Sequence, residues 1–379
     1  MFMIAGLLGL MAVGATAFFG FDFGPEDDQD ASLWPPETVH AGGQKTDLLD
    51  SIPDEAGDEA EPASGDESEG DGAGKATEDI AAALAEEPGD ATGGEDLAVL
   101  QPGAQPGEIA WGDEADDTLA GGEGDDQING YGGDDLVEGG AGDDQLYGQD
   151  GQDTVLGGEG DDTLHGEAGD DALAGEGGQD ALYGHGGQDT MSGGTDDDTL
   201  HGGEDDDLLM GDEGKDALHG GLDDDTLIGG LGQDTLFGGP GSDAIIGVSE
   251  GFGAPDFEDL DGRDYLNGGD DDDKILLGKD DIATGGAGAD SFVLGDWITQ
   301  EHQAEITDFS AAEDALMVIY DDSTDPDPEL AIEPDEEDAD VQHLVLNGER
   351  IAMLTGAAGL TLNDITLIPE SALPHAPVI

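Results

Sequence analysis

Between residues 112 and 246, an apolar side chain returns every nine positions, always two residues after an aspartate. Fifteen nine-residue units follow one another there without a gap, and one of them, residues 121–129, reads GGEGDDQIN. Position 8 of the unit is apolar and position 6 is Asp in every copy. A fixed period of this length predicts a stacked solenoid, in which each unit packs on its neighbours instead of around one central core.

Each position of the unit has a predicted role. Positions 7 to 9, for example Thr163, Leu164 and His165, predict a short strand whose middle side chain points inward. Glycines at positions 1, 2 and 4 are expected to adopt the positive φ angles of a tight loop. One unit buries a single apolar side chain, which is too little to offset an ordering cost of about 1–2 kcal/mol per residue. Stacking and bound ions must therefore supply the rest.

The aspartate at position 6 is the candidate metal ligand of each unit. Ca²⁺ binds six to eight oxygens at about 2.3–2.6 Å, from carboxylates and carbonyls together. Each unit offers a carboxylate beside a glycine-rich loop with exposed carbonyl groups. The sequence therefore predicts multiple calcium sites. The predicted ligands are Asp117, Asp126, Asp135, Asp144, Asp153, Asp162, Asp171, Asp180, Asp189, Asp198, Asp207, Asp216, Asp225, Asp234, Asp243, Asp264, Asp273 and Asp290.

These units resemble the RTX family, the hemolysin-type calcium-binding repeats with the consensus GGxGxDxUx, where U is a large apolar residue. The resemblance covers residues 112–293. It implies an all-β fold, a right-handed parallel β-roll in which two units form one turn. It also implies that each calcium ion lies between the loop of one repeat and the loop two repeats further on. The alternative for the same composition is an acidic, disordered, glycine-rich tract.

Some units depart from the consensus. Position 4 is Ala115, Asp196, Asp205 or Asp223 in four of them. The calcium sites beside the three aspartates are expected to be altered, because an extra carboxylate lies in the loop and Asp tolerates positive φ better than most residues. The period then breaks at an insertion, residues 247–263, and resumes imperfectly up to Val293.

The charge of the chain favours a calcium-dependent switch. There are 96 acidic and 7 basic residues, which gives a net charge of −89. Such a chain repels itself until cations neutralise it, so that the free energy of calcium binding becomes free energy of folding. Extracellular calcium modules bind at about 10⁻⁴–10⁻³ M, which predicts sites that fill at the cell surface or outside the cell. The charge excludes nucleic acid as a partner and leaves a cell-surface or matrix partner open.

Four domains are predicted along the chain. Residues 1–21 carry no charge and are long enough to span a bilayer; an uncleaved anchor, a cleaved signal and a segment without a membrane role stay open. Residues 22–107 predict an acidic disordered linker, and residues 108–293 form the predicted calcium-binding roll. Residues 294–379 predict a C-terminal β-rich cap, with a strand at 360–368 and with a secretion signal as an open addition.

No catalytic site is predicted. The chain lacks the HExxH motif of zinc proteases. The match to GxSxG around Ser249 lacks the strand, helix and large sheet that a nucleophile elbow needs. The expected protein is a non-enzymatic, calcium-binding surface or secreted protein. The alternatives are a secreted toxin or hydrolase of the RTX type, and an acidic calcium sink without a defined fold. There is no cysteine, so no disulfide contributes to stability in any compartment.

Overall fold

The computed structural model describes residues 107, 109–248, 262–295, 297–323 and 325–372. This part of the chain is a parallel β-solenoid built from two long sheets, as the nine-residue period predicted. Its helical content is confined to two short 3₁₀ helices near the C-terminus. Among the described residues, no helix is long and apolar enough to cross a membrane.

The predicted N-terminal segment and nearly all of the predicted acidic linker lie outside the described residues. The first described strand begins three residues before the first repeat.

The first sheet has 14 strands, which lie side by side in this order: β1 (Ile109–Trp111), β3 (Gln127–Gly132), β5 (Gln145–Asp150), β7 (Thr163–Ala168), β9 (Ala181–Gly186), β11 (Thr199–Glu204), β13 (Ala217–Gly221), β15 (Thr235–Pro240), β17 (Tyr265–Asp270), β19 (Ile282–Ala287), β21 (Ala304–Ile306), β25 (Glu349–Thr355), β24 (Val341–Leu346) and β23 (Leu330–Pro334).

The second sheet contains the alternate strands, so the chain crosses from one sheet to the other at every unit. The second sheet has 12 strands in this order: β2 (Thr118–Glu123), β4 (Leu136–Ala141), β6 (Thr154–Glu159), β8 (Ala172–Gly177), β10 (Thr190–Thr195), β12 (Leu208–Gly214), β14 (Thr226–Gly232), β16 (Ala244–Ile246), β18 (Lys274–Leu276), β20 (Ser291–Gly295), β22 (Ala315–Tyr320) and β26 (Ile365–Pro369).

Equivalent positions of units two apart pair with each other. In the first sheet, Leu146 is aligned with Leu164, and Leu164 with Leu182. Two units therefore form one turn. Most strands of the roll have six residues and continue through position 3 of the next unit, which makes them longer than the three residues predicted from the sequence. The longer strand arises because parallel pairing continues past the glycine at position 1.

The core is the space between the two sheets, and position 8 fills it. All fifteen position-8 side chains are fully buried, as predicted. Burying one such side chain contributes about 1.5–3 kcal/mol, so the core gains stability in proportion to the number of turns. The fifteen residues are Leu119, Ile128, Val137, Leu146, Val155, Leu164, Leu173, Leu182, Met191, Leu200, Leu209, Leu218, Leu227, Leu236 and Ile245.

The insertion does not interrupt the stack. Residues 249–261 lie outside the described residues. On either side of them, Leu236 is aligned with Leu266 and Ile245 with Ile275, so that both sheets continue in register. The additional residues therefore leave the path of the roll at one turn and return to it.

The C-terminal end changes from parallel to antiparallel pairing. β24 and β25 form an antiparallel hairpin, with Asn347 and Gly348 at positive φ in its turn. The predicted strand at 360–368 is only partly correct, because its first half contains the 3₁₀ helix Leu362–Asp364. There the Thr361 amide and hydroxyl both donate to Asp364 Oδ2, at 2.9 and 2.7 Å. A second 3₁₀ helix, Glu370–Ala372, follows β26.

Candidate metal sites

The aspartate at position 6 immediately precedes a strand of the roll and is buried in every repeat. All eighteen predicted ligands are at most 5% exposed. Because units two apart are stacked, the aspartates form two columns, one beside each sheet. The first column contains Asp126, Asp144, Asp162, Asp180, Asp198, Asp216, Asp234 and Asp264, and the second contains Asp117, Asp135, Asp153, Asp171, Asp189, Asp207, Asp225, Asp243, Asp273 and Asp290.

One oxygen of each carboxylate connects neighbouring turns. The Asp135 amide donates to Asp153 Oδ1 at 2.8 Å, and the Asp153 amide donates to Asp171 Oδ1 at 2.8 Å. The same bond recurs along both columns. It holds each carboxylate at a fixed height in the stack, because its partner is a rigid backbone N–H group of the preceding turn.

The second oxygen is buried and, in most of these carboxylates, accepts no hydrogen bond within the described part of the chain. A buried carboxylate oxygen without a donor or a cation is strongly unfavourable, and its position marks the place where a cation is needed. Fourteen aspartates have such an Oδ2 atom: Asp135, Asp144, Asp153, Asp162, Asp171, Asp180, Asp189, Asp198, Asp207, Asp216, Asp225, Asp234, Asp243 and Asp273.

The glycine at position 1 makes room for these oxygens. A Cβ added to Gly130 would collide with Asp135 Oδ2 and would lie 2.8 Å from the carbonyl oxygen of Gly148, one turn further on. None of the described position-1 glycines of the fifteen units has a positive φ, so the prediction of positive φ at this position is wrong. Glycine is needed here for space. The resulting gap is lined by a carboxylate and a carbonyl oxygen, which are the donors that a hard cation such as calcium prefers.

Burial and mutual repulsion oppose ionisation of the columns. Burial is the largest effect, and neighbouring carboxylates add to it, raising the pKa of Asp198, Asp216 and Asp225 to about 8. The pKa of Asp162 and of Asp189 is raised to about 7 for the same reasons. Hydrogen bonds from the preceding turn lower these pKa values without cancelling the increase. A divalent cation in each gap would relieve both the desolvation and the repulsion.

The three aspartates at position 4 adopt the backbone conformation that the loop requires. Asp196, Asp205 and Asp223 have φ angles of 81°, 74° and 75°. Their carboxylates are close enough to influence the columns, since Asp196 raises the pKa of Asp198 and Asp205 that of Asp207. The altered calcium affinity of these loops stays a prediction.

One member of the first column was missed in the sequence. Asp281 is fully buried, and its Oδ1 accepts the Asp264 amide at 3.0 Å. It is 17 residues from Asp264 instead of 18, and the following position 8 is the small residue Ala283, which obscured the repeat. The available signal was the aspartate placed four residues before the glycine pair Gly285-Gly286. Asp314 ends the second column and accepts the Asp290 amide at 3.1 Å.

Strand β9 offers a matched pair of glycine substitutions. A Cβ at Gly184, position 1 of its unit, would collide with Asp189 Oδ2 and would lie 2.8 Å from the Gly202 carbonyl oxygen. We expect Gly184→Ala to cost about 1–3 kcal/mol of roll stability through overpacking. It also fills the gap beside the carboxylate. The calcium concentration at the midpoint of folding, measured by circular dichroism, should therefore rise.

The control is Gly186→Ala, in the same strand at position 3. Its nearest neighbour atom, apart from the adjacent residues, would be 3.9 Å away, and Gly186 is not among the residues with positive φ. This substitution should leave the midpoint within about twofold of wild type, since surface changes cost at most about 0.5 kcal/mol. Equal midpoints for the two variants would contradict the role assigned to position 1.

Ser249 of the GxSxG match lies outside the described residues.

The family model described as the RTX calcium-binding nonapeptide repeat matches the chain in four copies, at residues 111–146, 147–182, 183–218 and 211–245. Among solved structures, a hyperactive, Ca²⁺-dependent, β-helical antifreeze protein from an Antarctic bacterium is 19% identical. That match covers 56% of this chain and 77% of the antifreeze protein, with a TM-score of 0.28. No curated protein matches the chain.

Proposed function

We propose that this chain, which is an RTX-repeat protein over residues 111–245, uses its calcium-binding repeats as a folding switch outside the cytoplasm and has no enzymatic activity. Its role would be that of a rigid module at the cell surface or in the surrounding medium, extended without calcium and rolled with it. The sites of the switch would be the aspartate columns, with the eighteen predicted ligands and Asp281.

The observation that carries the proposal is the pair of columns of buried carboxylates with unpartnered Oδ2 atoms. These oxygens make the roll unfavourable without cations at neutral pH, because each turn adds further buried negative charge. Cations in the gaps would be coordinated by the same carboxylates and would link neighbouring turns. Folding and calcium binding are therefore expected to be one coupled event.

The proposed location follows from the affinity expected of such sites. Extracellular calcium modules work at about 10⁻⁴–10⁻³ M, far above cytoplasmic calcium, so the roll would stay unfolded during synthesis and fold after export. The net charge of −89 favours basic partners or polyanions bridged by calcium. An anchor at residues 1–21 stays a prediction.

The first test is a calcium titration of the full chain followed by far-UV circular dichroism. We expect a cooperative rise in β-signal as calcium increases from zero to about 10 mM, and a much weaker response to magnesium, which prefers to keep its water ligands. Calcium binding without a gain in β-signal would contradict the switch and favour the acidic sink. Esterase or protease activity that Ser249→Ala abolishes would favour the hydrolase alternative.

Substitutions of two adjacent aspartates can distinguish the effect of calcium ligation from the effect of total negative charge. Asp171 is buried in the second column, whereas Asp170 is exposed in the same loop and accepts the Gln188 amide at 3.0 Å. We expect Asp171→Asn to weaken the local calcium sites by at least about tenfold, since even indirect partners of metal ligands contribute that much. The folding transition should move to higher calcium and become less cooperative.

Asp170→Asn removes one negative charge from the same loop and serves as the matched control. The calcium concentration at its folding midpoint should stay close to that of wild type, because neutralising an exposed carboxylate changes the stability of the roll little. Equal effects of the two substitutions in the circular dichroism titration would show that total charge, and not the column, governs folding.

A further inference from the structure

The outer face of the first sheet carries a column of rings. Position 9 of alternate units supplies Tyr147, His165, Tyr183, His201 and His219. Consecutive ring centroids are 4.7, 4.9, 5.2 and 4.8 Å apart, with interplanar angles of at most 11°. Such stacking follows from the register of the sheet, which aligns equivalent positions of successive turns. The column lies outside the roll, on the opposite side of the sheet from the aliphatic core.

At one point, two residues from position 2 join this column. Glu167 of β7 and His185 of β9 are aligned partners in neighbouring turns. His165 Nδ1 lies 3.0 Å from His185 Nε2, and His185 Nε2 lies 4.0 Å from Glu167 Oε1. The three ligand atoms lie within 4.8 Å of one another. Two imidazoles and one carboxylate thus converge on a single place at the surface.

Glu167 and His185 replace the glycine of the repeat consensus at position 2. Position 2 requires a positive φ, and glycine occupies it in many units. Glu167 and His185 adopt φ angles of 80° and 78° there. Tyr131, Gln149, Glu176 and Asp212 also adopt a positive φ at position 2 of their units, so this conformation alone does not mark a site. Glu167 and His185 are distinguished by their contacts, because both approach His165 of the ring column.

The chemistry of the three groups differs from that of the aspartate columns. Imidazole nitrogen suits zinc, copper and nickel, whereas calcium prefers oxygen ligands. Zn–N and Zn–O bonds of about 2.0–2.2 Å place tetrahedral ligands roughly 3.3–3.6 Å apart. The observed separations of 3.0 and 4.0 Å lie on either side of that range. The site is open to solvent, since the His185 and Glu167 side chains are 44% and 41% exposed.

We propose that His165, Glu167 and His185 form a binding site for Zn²⁺, or for a transition-metal ion of similar preference, on the outer face of the roll. The two imidazoles share a hydrogen bond in the metal-free protein. When the metal binds, the proton of this bond moves, through exchange with water, to the other nitrogen of the donor ring, so that both facing nitrogens offer a lone pair. Three protein ligands leave the fourth position of a tetrahedral ion to water. Burial, and next to it His185, lowers the pKa of His165, which favours the neutral ring that a metal requires.

The test is a zinc titration of the full chain by isothermal titration calorimetry in about 10 mM calcium, which keeps the oxygen sites occupied. We expect one saturable zinc site per chain. Co²⁺ bound at the same site should give the visible absorption of a tetrahedral complex. Absence of saturable zinc binding by a chain that shows its full β-signal in calcium would overturn this proposal without affecting the calcium-dependent folding.

The variants are chosen so that the roll keeps its fold. His185→Gly and Glu167→Gly introduce glycine, which the positive φ favours. His165→Ala introduces alanine, which already occupies position 9 of the next unit as Ala174. Each should lower zinc affinity by at least about tenfold and leave the calcium-dependent β-signal unchanged. Wild-type zinc affinity in His185→Gly would overturn the site.

His201 and His219 provide the matched control. They are stacked in the same column at 4.8 Å, but no carboxylate joins them in a cluster of three possible ligands within the described part of the chain. His201→Ala and His219→Ala should bind zinc as wild type does. An equal loss of affinity in these controls would assign the zinc to the ring column as a whole and overturn the three-residue site.

Discussion

Replacing Leu164 by aspartate is expected to abolish the calcium-dependent β-signal of the turns around it. Leu164 is fully buried and stacks between Leu146 and Leu182 in the core. The substitution removes an aliphatic contact, which costs about 2–5 kcal/mol for a large-to-small change. It also places a carboxylate among apolar side chains, where a charge without a partner costs several kcal/mol more.

The effect should spread beyond a single unit. Each turn of a solenoid is stabilised by its two neighbours, so a defect in the middle divides the roll into two shorter stacks. In about 10 mM calcium, we expect a smaller circular dichroism amplitude and new cleavage by a dilute protease near residue 164. Both measurements report on folding without requiring a known partner.

Thr163→Asp is the control for register. Thr163 is the preceding residue of β7 and lies on the outer side of the sheet, half-buried. A strand shifted by one residue exchanges its inner and outer faces, so the two substitutions test the assigned register directly. A normal calcium transition in Leu164→Asp, combined with a defective one in Thr163→Asp, would show that the register is wrong.

Lowering the pH is expected to stabilise the metal-free roll, and so to substitute in part for calcium in folding. Burial and neighbouring carboxylates raise the pKa of Asp198, Asp216 and Asp273 to about 8 and that of Asp171 and Asp207 to about 7, well above the usual value for an aspartate. A carboxyl whose pKa is higher in the folded state stabilises that state when protonated. This contribution is fully present below about pH 4 and is lost as the pH rises through about 7–8.

The metal-free chain should therefore gain β-signal as the pH is lowered from about 8 to about 5 in the presence of a calcium chelator. Calcium-loaded protein should show the opposite trend, because protons compete with the cation for the same oxygens. The range stops above the pI of about 4.1, where loss of net charge promotes association. A metal-free chain that stays unfolded at pH 5 would contradict the electrostatic account of the columns.

The most regular features of this protein could be predicted from the sequence. The nine-residue period identified the solenoid, position 8 identified the core, and position 6 identified the buried carboxylates. These predictions succeed because each unit of a solenoid meets only copies of itself, so a local pattern determines the environment of every residue. Leu164, for example, lies between Leu146 and Leu182, the equivalent residues one turn away in either direction.

Other features depended on contacts between turns. Asp281 entered the first column although its unit is one residue short, because the stack tolerates a small change in loop length. The space needed at Gly130 results from a carboxylate of its own unit and a carbonyl of the next turn.

The site at His165, Glu167 and His185 combines residues up to 20 positions apart. A pattern along the chain determines which residues point inward or outward. Only the stacking of turns determines which outward residues meet, because that depends on the register between neighbouring strands and on the backbone angles that direct each side chain.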